Sequence, residues 1–593
     1  MSSNPNEKVA QSDQSSINDT DGTQWRRFAA AVLGFAAVLL FARVGARALW
    51  ASEFRWGEIA REMLISHNFF WPTINGKVYY DKPLGSYWLI VASTWLTGSM
   101  NEAAARIPSA IAGLLAVIFV IVIGRRLYDL RTGTIAGIVL ATSFSFVFWA
   151  RSASADVETI AGELAAIALF LRYEKSPRHS WVVALWLVMA ITSLTKGLLG
   201  FVLPLVVLGS YSCVADGWSA VRTHALHGSI ATRVRWIIDR FAWFFNWWTV
   251  VAIVLASIVY YAPFAISHAQ TGSSKGLYMV YRENVERFFE PFDHRGPIYL
   301  YTYAIFALMA PWSAFLPAAL MQMHGRLRLD PDHARSDRLV LAFFWSTFIF
   351  FSLSGSRRNY YLLPILPAAA LMVSRLLTQP RETLFEWPRR LMTIGYLIIA
   401  VMAVLSAVAL LPPHSFLPSP WDQLPDAPDR LIFALCWVSS LAAIGWALRK
   451  LTPTRMMFSC AVIAYLIMIY FFVFAMPAGD AWRGEKEFAQ QVRSLTAGRP
   501  SELAFFTNQG PAFYLALSEP VPEYERVVDL SSAVAEGKVR WIVIRRRDID
   551  RLKLMPVAVV ASEPVYPWDQ KEHKLNRMVL VEVRSSDPAR LGS

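Results

Sequence analysis

Runs of about 20 mostly apolar residues recur along this chain, each long enough to carry a helix across the hydrocarbon core of a bilayer. They fall near 27–46, 104–126, 132–150, 154–172, 179–195, 197–214, 245–267, 298–322, 338–355, 359–378, 389–411, 430–449 and 454–476. A polytopic α-helical membrane protein with about thirteen spans is therefore predicted. Composition agrees: 55% of the 593 residues are hydrophobic and 17% charged, against roughly a quarter charged in soluble domains. The 23 tryptophans and 37 phenylalanines suit helix ends anchored at the membrane interface.

The formal net charge of +13 does not point to nucleic acid, because the basic residues sit in short clusters between apolar runs. With the N-terminus, Arg26 and Arg27 placed in the cytoplasm, every alternate loop is basic. Those loops hold Arg125, Arg126 and Arg131, then Arg172, Lys175 and Arg178, then Arg222, Arg233, Arg235 and Arg240. Further along come Arg326, Arg328, Arg335 and Arg338, then Arg381, Arg389 and Arg390, and last Arg449, Lys450 and Arg455. This is the positive-inside pattern. The loop at 412–429 falls on the other face and is acidic, with Asp422, Asp426 and Asp429.

Three segments are expected. Residues 1–24 are too polar to fold and form a cytoplasmic tail. Residues 25–476 form the transmembrane domain, with long outside loops at 47–103 and 268–297. From 477 to 593 the pattern changes to short strands ("ELAFF", "VRWIVIRR", "VAVVA", "RMVLVEV") alternating with helical or turn segments, a small α/β domain outside the membrane. Cys213, Cys436 and Cys460 lack metal-ligand spacing and read as small apolar side chains. Neither a phosphate-binding glycine loop nor an internal repeat is present, which disfavours an ATP-driven pump.

Charged residues at the outer ends of spans are the candidates for chemistry, since a charge at the edge of the apolar region needs a partner or a function. In the first outside loop Glu53, Arg55, Glu58, Arg61 and Glu62 have helical spacing, with Glu58 and Glu62 on one face of an amphipathic helix. Asp81, Lys82 and Pro83 follow Tyr79 and Tyr80, and a carboxylate and lysine fixed there suit a metal ion and a phosphate. Arg151, Asp156, Lys196, Arg357 and Arg358 lie at span edges on the same outer side. Glu283, Arg287 and His294 stand in the second outside loop.

These motifs resemble the bacterial aminoarabinose transferase (ArnT) and protein O-mannosyltransferase family of C-type (GT-C) membrane glycosyltransferases. The resemblance starts with Ser52 to Ile59, Arg61 to Met63 and Gly76 to Pro83. It continues through Asn101, Glu102, Arg106 to Ser109, Arg151 to Asp156 and Thr195 to Gly197, then Glu283 and Asn284 with Arg287 and Phe288, and His294 to Pro297. It ends with Pro311, Trp312, Ser354 to Arg358 and Tyr360 to Pro364, and so covers roughly residues 30–380.

The resemblance implies a catalytic carboxylate in the first loop. The family's leading Asp aligns with Ser52, which leaves Glu53 as the base, supported by Asp156. It implies donor-phosphate contacts from Arg55, Lys82, Lys196, Arg357 and Arg358, a divalent metal such as Zn or Mn on Asp81 and His294, and a substrate cavity walled by Tyr79, Tyr80 and Tyr360. It further implies a monomer in the bacterial inner membrane with its active site and C-terminal domain in the periplasm. Such an enzyme moves aminoarabinose, a hexose or a related sugar from undecaprenyl phosphate to lipid A, lipopolysaccharide, another envelope glycan or protein. A single displacement inverts the anomeric centre. The alternative is a lipid-sugar transporter or flippase, which would be expected to show repeated halves and a midplane site.

Overall fold

The computed structural model describes residues 5–50, 52–175, 179–290, 295–327, 329, 331–409, 429–478, 484–507, 512–553, 555–565 and 571–584. Every predicted apolar window within them holds a helix. Eight described helices are long and apolar enough to cross a membrane, or up to ten when two bent pairs each count as one span. The pairs are Leu130–Ala141 with Phe144–Ala150, bent by 69°, and Leu300–Leu308 with Trp312–Arg326, bent by 119°. Two further windows hold shorter apolar helices, Trp181–Lys196 and Leu199–Val214. The last holds Asp156–Lys175, which carries Asp156, Glu158 and Glu163 among its apolar residues.

The first helix, α1 (Pro5–Phe41), begins inside the tail expected to be unfolded. Helical backbone satisfies its own hydrogen bonds and can run on from an apolar span without a core of its own. The first outside loop contains α2 (Glu53–Ser66), a two-residue hairpin of β1 (Thr73–Ile74) and β2 (Lys77–Val78), and α3 (Gly85–Thr97). Then follow α4 (Glu102–Leu127), α5 (Leu130–Ala141), α6 (Phe144–Ala150), α7 (Asp156–Lys175), α8 (Trp181–Lys196) and α9 (Leu199–Val214). Helix α4 is central, packing on α1, α3, α5, α6 and α7.

Two arginines tie the first span to its neighbours. Arg151 donates to the carbonyls of Leu39, Leu40, Ala42 and Phe472. Arg106 donates to those of Val44, Arg47 and Ala48. The last turn of a helix leaves carbonyls without intrahelical partners, and a guanidinium supplies donors where water cannot.

All four predicted strand segments are strands, and a short fifth, β4 (Glu523–Tyr524), joins them. The sheet order is β4-β3-β5-β7-β6, with β3 (Leu503–Phe506) parallel to β4 and β5 (Trp541–Arg545). Strand β7 (Met578–Val583) runs antiparallel to β5 and β6 (Val557–Ser562). Phe488 and Val492 of one helix cover one face, and Leu530 and Ala533 of another cover the opposite face. Burial on both faces explains why β3 and β5 read as unbroken apolar runs rather than alternating ones.

This sheet region grips the first outside loop. Arg61 donates to the Leu517 carbonyl (2.8 Å), and Asn75 exchanges two hydrogen bonds with the Val521 backbone (2.7 and 2.8 Å). The Tyr514 hydroxyl accepts from the Leu49 N–H (2.6 Å), and Lys486 pairs with Glu102 (2.6 Å). Gly76 turns the hairpin at φ +72°, where an added Cβ would lie 2.7 Å from the Pro520 ring. Gly76→Ala is therefore expected to loosen this grip, by about 1–2 kcal/mol for the backbone alone. Limited proteolysis should then release fragments from residues 477–593 faster than in wild type; an unchanged rate would refute the expectation.

Candidate active site

Helix α2, the β1–β2 hairpin, the start of α7, the α8–α9 turn and segments 282–289 and 350–361 surround one cavity of about 750 Å³. Eight residues given a site role from sequence line it: Arg55, Tyr79, Asp81, Lys82, Asp156, Lys196, Arg358 and Tyr360. They come from chain positions more than 300 apart, so the fold, not local sequence, assembles the site.

Charge pairs organise the polar wall. Arg55 donates to Asp81 (3.0 Å) and to the Tyr79 hydroxyl (2.5 Å), whose ring it also faces. The second Asp81 oxygen accepts from the Tyr87 hydroxyl (3.3 Å). Burial, and after it the Asp81 charge, pushes the Tyr87 hydroxyl well above its usual range, so it stays a proton donor. For Arg55, burial pulls its pKa down, but Asp81 and Tyr79 outweigh this and raise it. Lys82 reaches Glu283 (3.1 Å), and Arg287 bonds the same Glu283 oxygen (2.6 Å). Lys196 pairs with Asp156 and lies over the Tyr361 ring. Tyr360 packs on Trp149 at 4.5 Å between centroids and accepts a bond from Arg358 (3.1 Å).

The turn that presents Lys196 depends on Gly197. Its φ is +113°, and an added Cβ would come 2.6 Å from Asn284 Oδ1, which accepts the Leu198 N–H at 2.8 Å. The second outside loop is thereby fastened against the α8–α9 turn.

Three predicted site residues are not in the cavity wall. Glu53 is buried, and its carboxylate takes two bonds from Arg106 (2.7 and 2.8 Å) and one from the Ala153 N–H (2.7 Å). With both oxygens held this way it serves to fix α2 against α4, and Ser52 is the residue that faces the cavity there. Arg357 donates to the carbonyls of Gly296 and Ser352, fastening the second loop instead of facing the cavity. Tyr80 turns away to the Phe70 carbonyl and Ser267. Glu58, expected on a solvated face, is buried and forked onto Arg61 (2.7 Å).

Sequence reasoning named Glu283 and Arg287 but gave them no role in the site; their i,i+4 spacing was the available signal. Among the described residues lining the cavity, six cations (Arg55, Lys82, Lys196, Arg282, Arg287, Arg358) face three carboxylates (Asp81, Asp156, Glu283). Leu198, Leu199, Val202, Phe288, Phe350 and Phe351 add apolar surface to the wall, and Ser52, Ser154, Asn284, Ser354 and Ser356 add neutral polar groups.

The expected metal pair is only half visible. His294 lies outside the described residues, and Asp81 is already engaged by Arg55 and Tyr87. Among the described residues no three His, Cys, Asp or Glu side chains come together to hold an ion. Asp81 alone does not make a metal site.

Comparison with known proteins narrows the reading. Residues 81–243 match the dolichyl-phosphate-mannose-protein mannosyltransferase family. The chain is 26% identical over 412 residues to undecaprenyl phosphate-alpha-4-amino-4-deoxy-L-arabinose arabinosyl transferase 1 of Pseudomonas fluorescens, covering 68% of this chain and 67% of that protein. A relative of the same description from Pseudomonas aeruginosa is 27% identical over 341 residues, 56% of each chain. The crystal structure of ArnT from Cupriavidus metallidurans bound to undecaprenyl phosphate superposes with a TM-score of 0.68 at 20% identity, over 95% of this chain and 99% of that one. The chain is an ArnT-like glycosyltransferase of the GT-C fold. For an ArnT-like chain, the departure at Ser52 means that the carboxylates facing the cavity are Asp81, Asp156 and Glu283.

Proposed function

We propose that the protein transfers a sugar, aminoarabinose, a hexose or a relative, from a polyprenyl phosphate to lipid A, lipopolysaccharide or another envelope acceptor on the periplasmic side of the inner membrane. The observation that carries this reading is the excess of cations over carboxylates in a cavity that also presents apolar side chains. That combination suits a phosphate ester of a lipid, with the phosphate among the cations and the first isoprene units against Phe288 and Phe350. The names of the sequence relatives support the donor class. The basic loops on one face support the sidedness.

The chemistry is a single displacement. The acceptor hydroxyl oxygen attacks the anomeric carbon as the bond from that carbon to the phosphate oxygen breaks, and the configuration inverts. Polyprenyl phosphate leaves with the extra negative charge, met by Lys82, Arg55 and Arg358. The hydroxyl proton passes to a carboxylate. Asp156 suits this role best among the cavity carboxylates: Asp81 is held through both oxygens, and one Glu283 oxygen carries two cations. Lys196 holds Asp156 before the donor arrives, and an incoming phosphate would compete for Lys196 and release Asp156 as a base.

Incubating the purified protein with radiolabelled undecaprenyl-phosphate sugars and envelope acceptors tests the proposal. Transfer of label is expected; folded protein that binds donor without transferring it would favour a lipid-sugar transporter. A divalent ion would have to compete with Arg55 for Asp81. Transfer that falls on dialysis against EDTA and returns with Mn or Zn would support such an ion, and transfer indifferent to EDTA would remove it.

A further inference from the structure

The connection between α9 and the span Trp247–Thr271 holds a helix, Ile230–Arg240, that takes no part in the cavity. Ser229 caps it by accepting the Thr232 N–H. Ile230, Val234, Ile237 and Ile238 stand at i, i+4, i+7 and i+8 and so form one stripe. They are 81%, 50%, 44% and 51% exposed, and no residue of the helix is buried. On a helical projection Arg233 and Arg240 border the stripe on one side and Arg235 on the other, while Asp239 lies on the opposite face. Arg240 is paired with Asp216, and Arg233 donates to the Gly228 carbonyl (2.9 Å).

An apolar stripe edged by arginines on both sides is the pattern of a helix lying in the plane of a membrane surface, apolar face down and guanidinium groups at headgroup level. An independent observation fixes the depth. Phe245, Trp247 and Trp248, just beyond the helix, are exposed aromatics at the start of the next span, as at the interface end of a membrane helix. A short turn connects Arg240 to them, so the helix cannot stand far from that plane.

We propose that the helix Ile230–Arg240 is an interfacial element that docks on the membrane and takes anionic phospholipid headgroups on its flanking arginines. This rests on the membrane reading of the chain and not on the sugar-transfer chemistry, so either can fail without the other. Charge complementarity selects the lipid: a surface rich in phosphatidylglycerol attracts each nearby arginine by about fivefold in partitioning, equivalent to roughly 1 kcal/mol.

The test uses the full-length protein with Cys213, Cys436 and Cys460 replaced by Ala, an environment-sensitive fluorophore on Ile238→Cys or on Asp239→Cys, and reconstitution in nanodiscs. The Ile238 probe should be quenched by phospholipids carrying a nitroxide near the headgroup and shielded from aqueous iodide; the Asp239 probe should show the reverse. Equal iodide quenching at both positions would overturn the proposal. So would an Ile238 probe shielded from both quenchers, which would mean that protein covers the stripe. Spin-labelled phosphatidylglycerol should associate in preference to spin-labelled phosphatidylcholine. Arg233→Glu with Arg235→Glu should abolish that preference while transfer from a detergent-solubilised donor persists. A preference unchanged in the double variant would also overturn the lipid assignment.

Discussion

Asp156→Asn is expected to lower sugar transfer by about 100- to 10,000-fold, the range for removing a positioned general base, with donor binding retained. The substitution keeps the size of the side chain and its place in the first turn of α7, so its effect should fall on turnover. Lys196 loses its partner and becomes more available to the donor phosphate, so KM for the donor should stay level or fall. Initial rates across donor concentrations separate the two terms. Near-wild-type turnover would move proton removal to Asp81 or Glu283.

Glu53→Gln should instead act on stability. The Glu53 and Arg106 side chains are only 3% and 2% exposed. Removing the carboxylate breaks the buried pair with Arg106, a loss of about 3–5 kcal/mol. The melting temperature in detergent should drop clearly, and Glu53→Gln with Arg106→Met should recover part of the loss, because the second change removes the buried charge. A variant that melts like wild type yet transfers nothing would return Glu53 to the chemistry.

The contrast between these two carboxylates marks where sequence reading stops. The spans were legible because an apolar run in a bilayer needs no distant partner to become helical. The C-terminal strands were legible from their β-branched and aromatic runs. Lys82, Asp156, Lys196 and Arg358 were singled out because charges at the outer ends of spans are costly without a role, and all four line the cavity. The same argument selected Arg151 and Arg357, and there it could not separate two roles. An arginine satisfying backbone carbonyls and one facing a substrate look alike until the carbonyls have positions. The place of Glu53 outside the cavity wall was not legible for a related reason: its partner Arg106 is 53 residues away, and nothing local announces the pair. Tyr80 and Tyr79 are adjacent, yet only one can face the cavity from the end of a hairpin.

The grip of the last sheet on the first loop has a consequence for how this protein comes into being. Asn75 waits for Val521, 446 residues downstream, and Arg61 for Leu517, 456 residues downstream. At ribosomal speeds of about 5–20 residues per second, the loop is made well before the segment that fastens it. A nascent chain therefore carries an unfinished loop through most of its insertion, and a ribosome that stops early leaves it so. Until Val521 and Leu517 are made, Asn75 and Arg61 lack the backbone partners that fasten the loop.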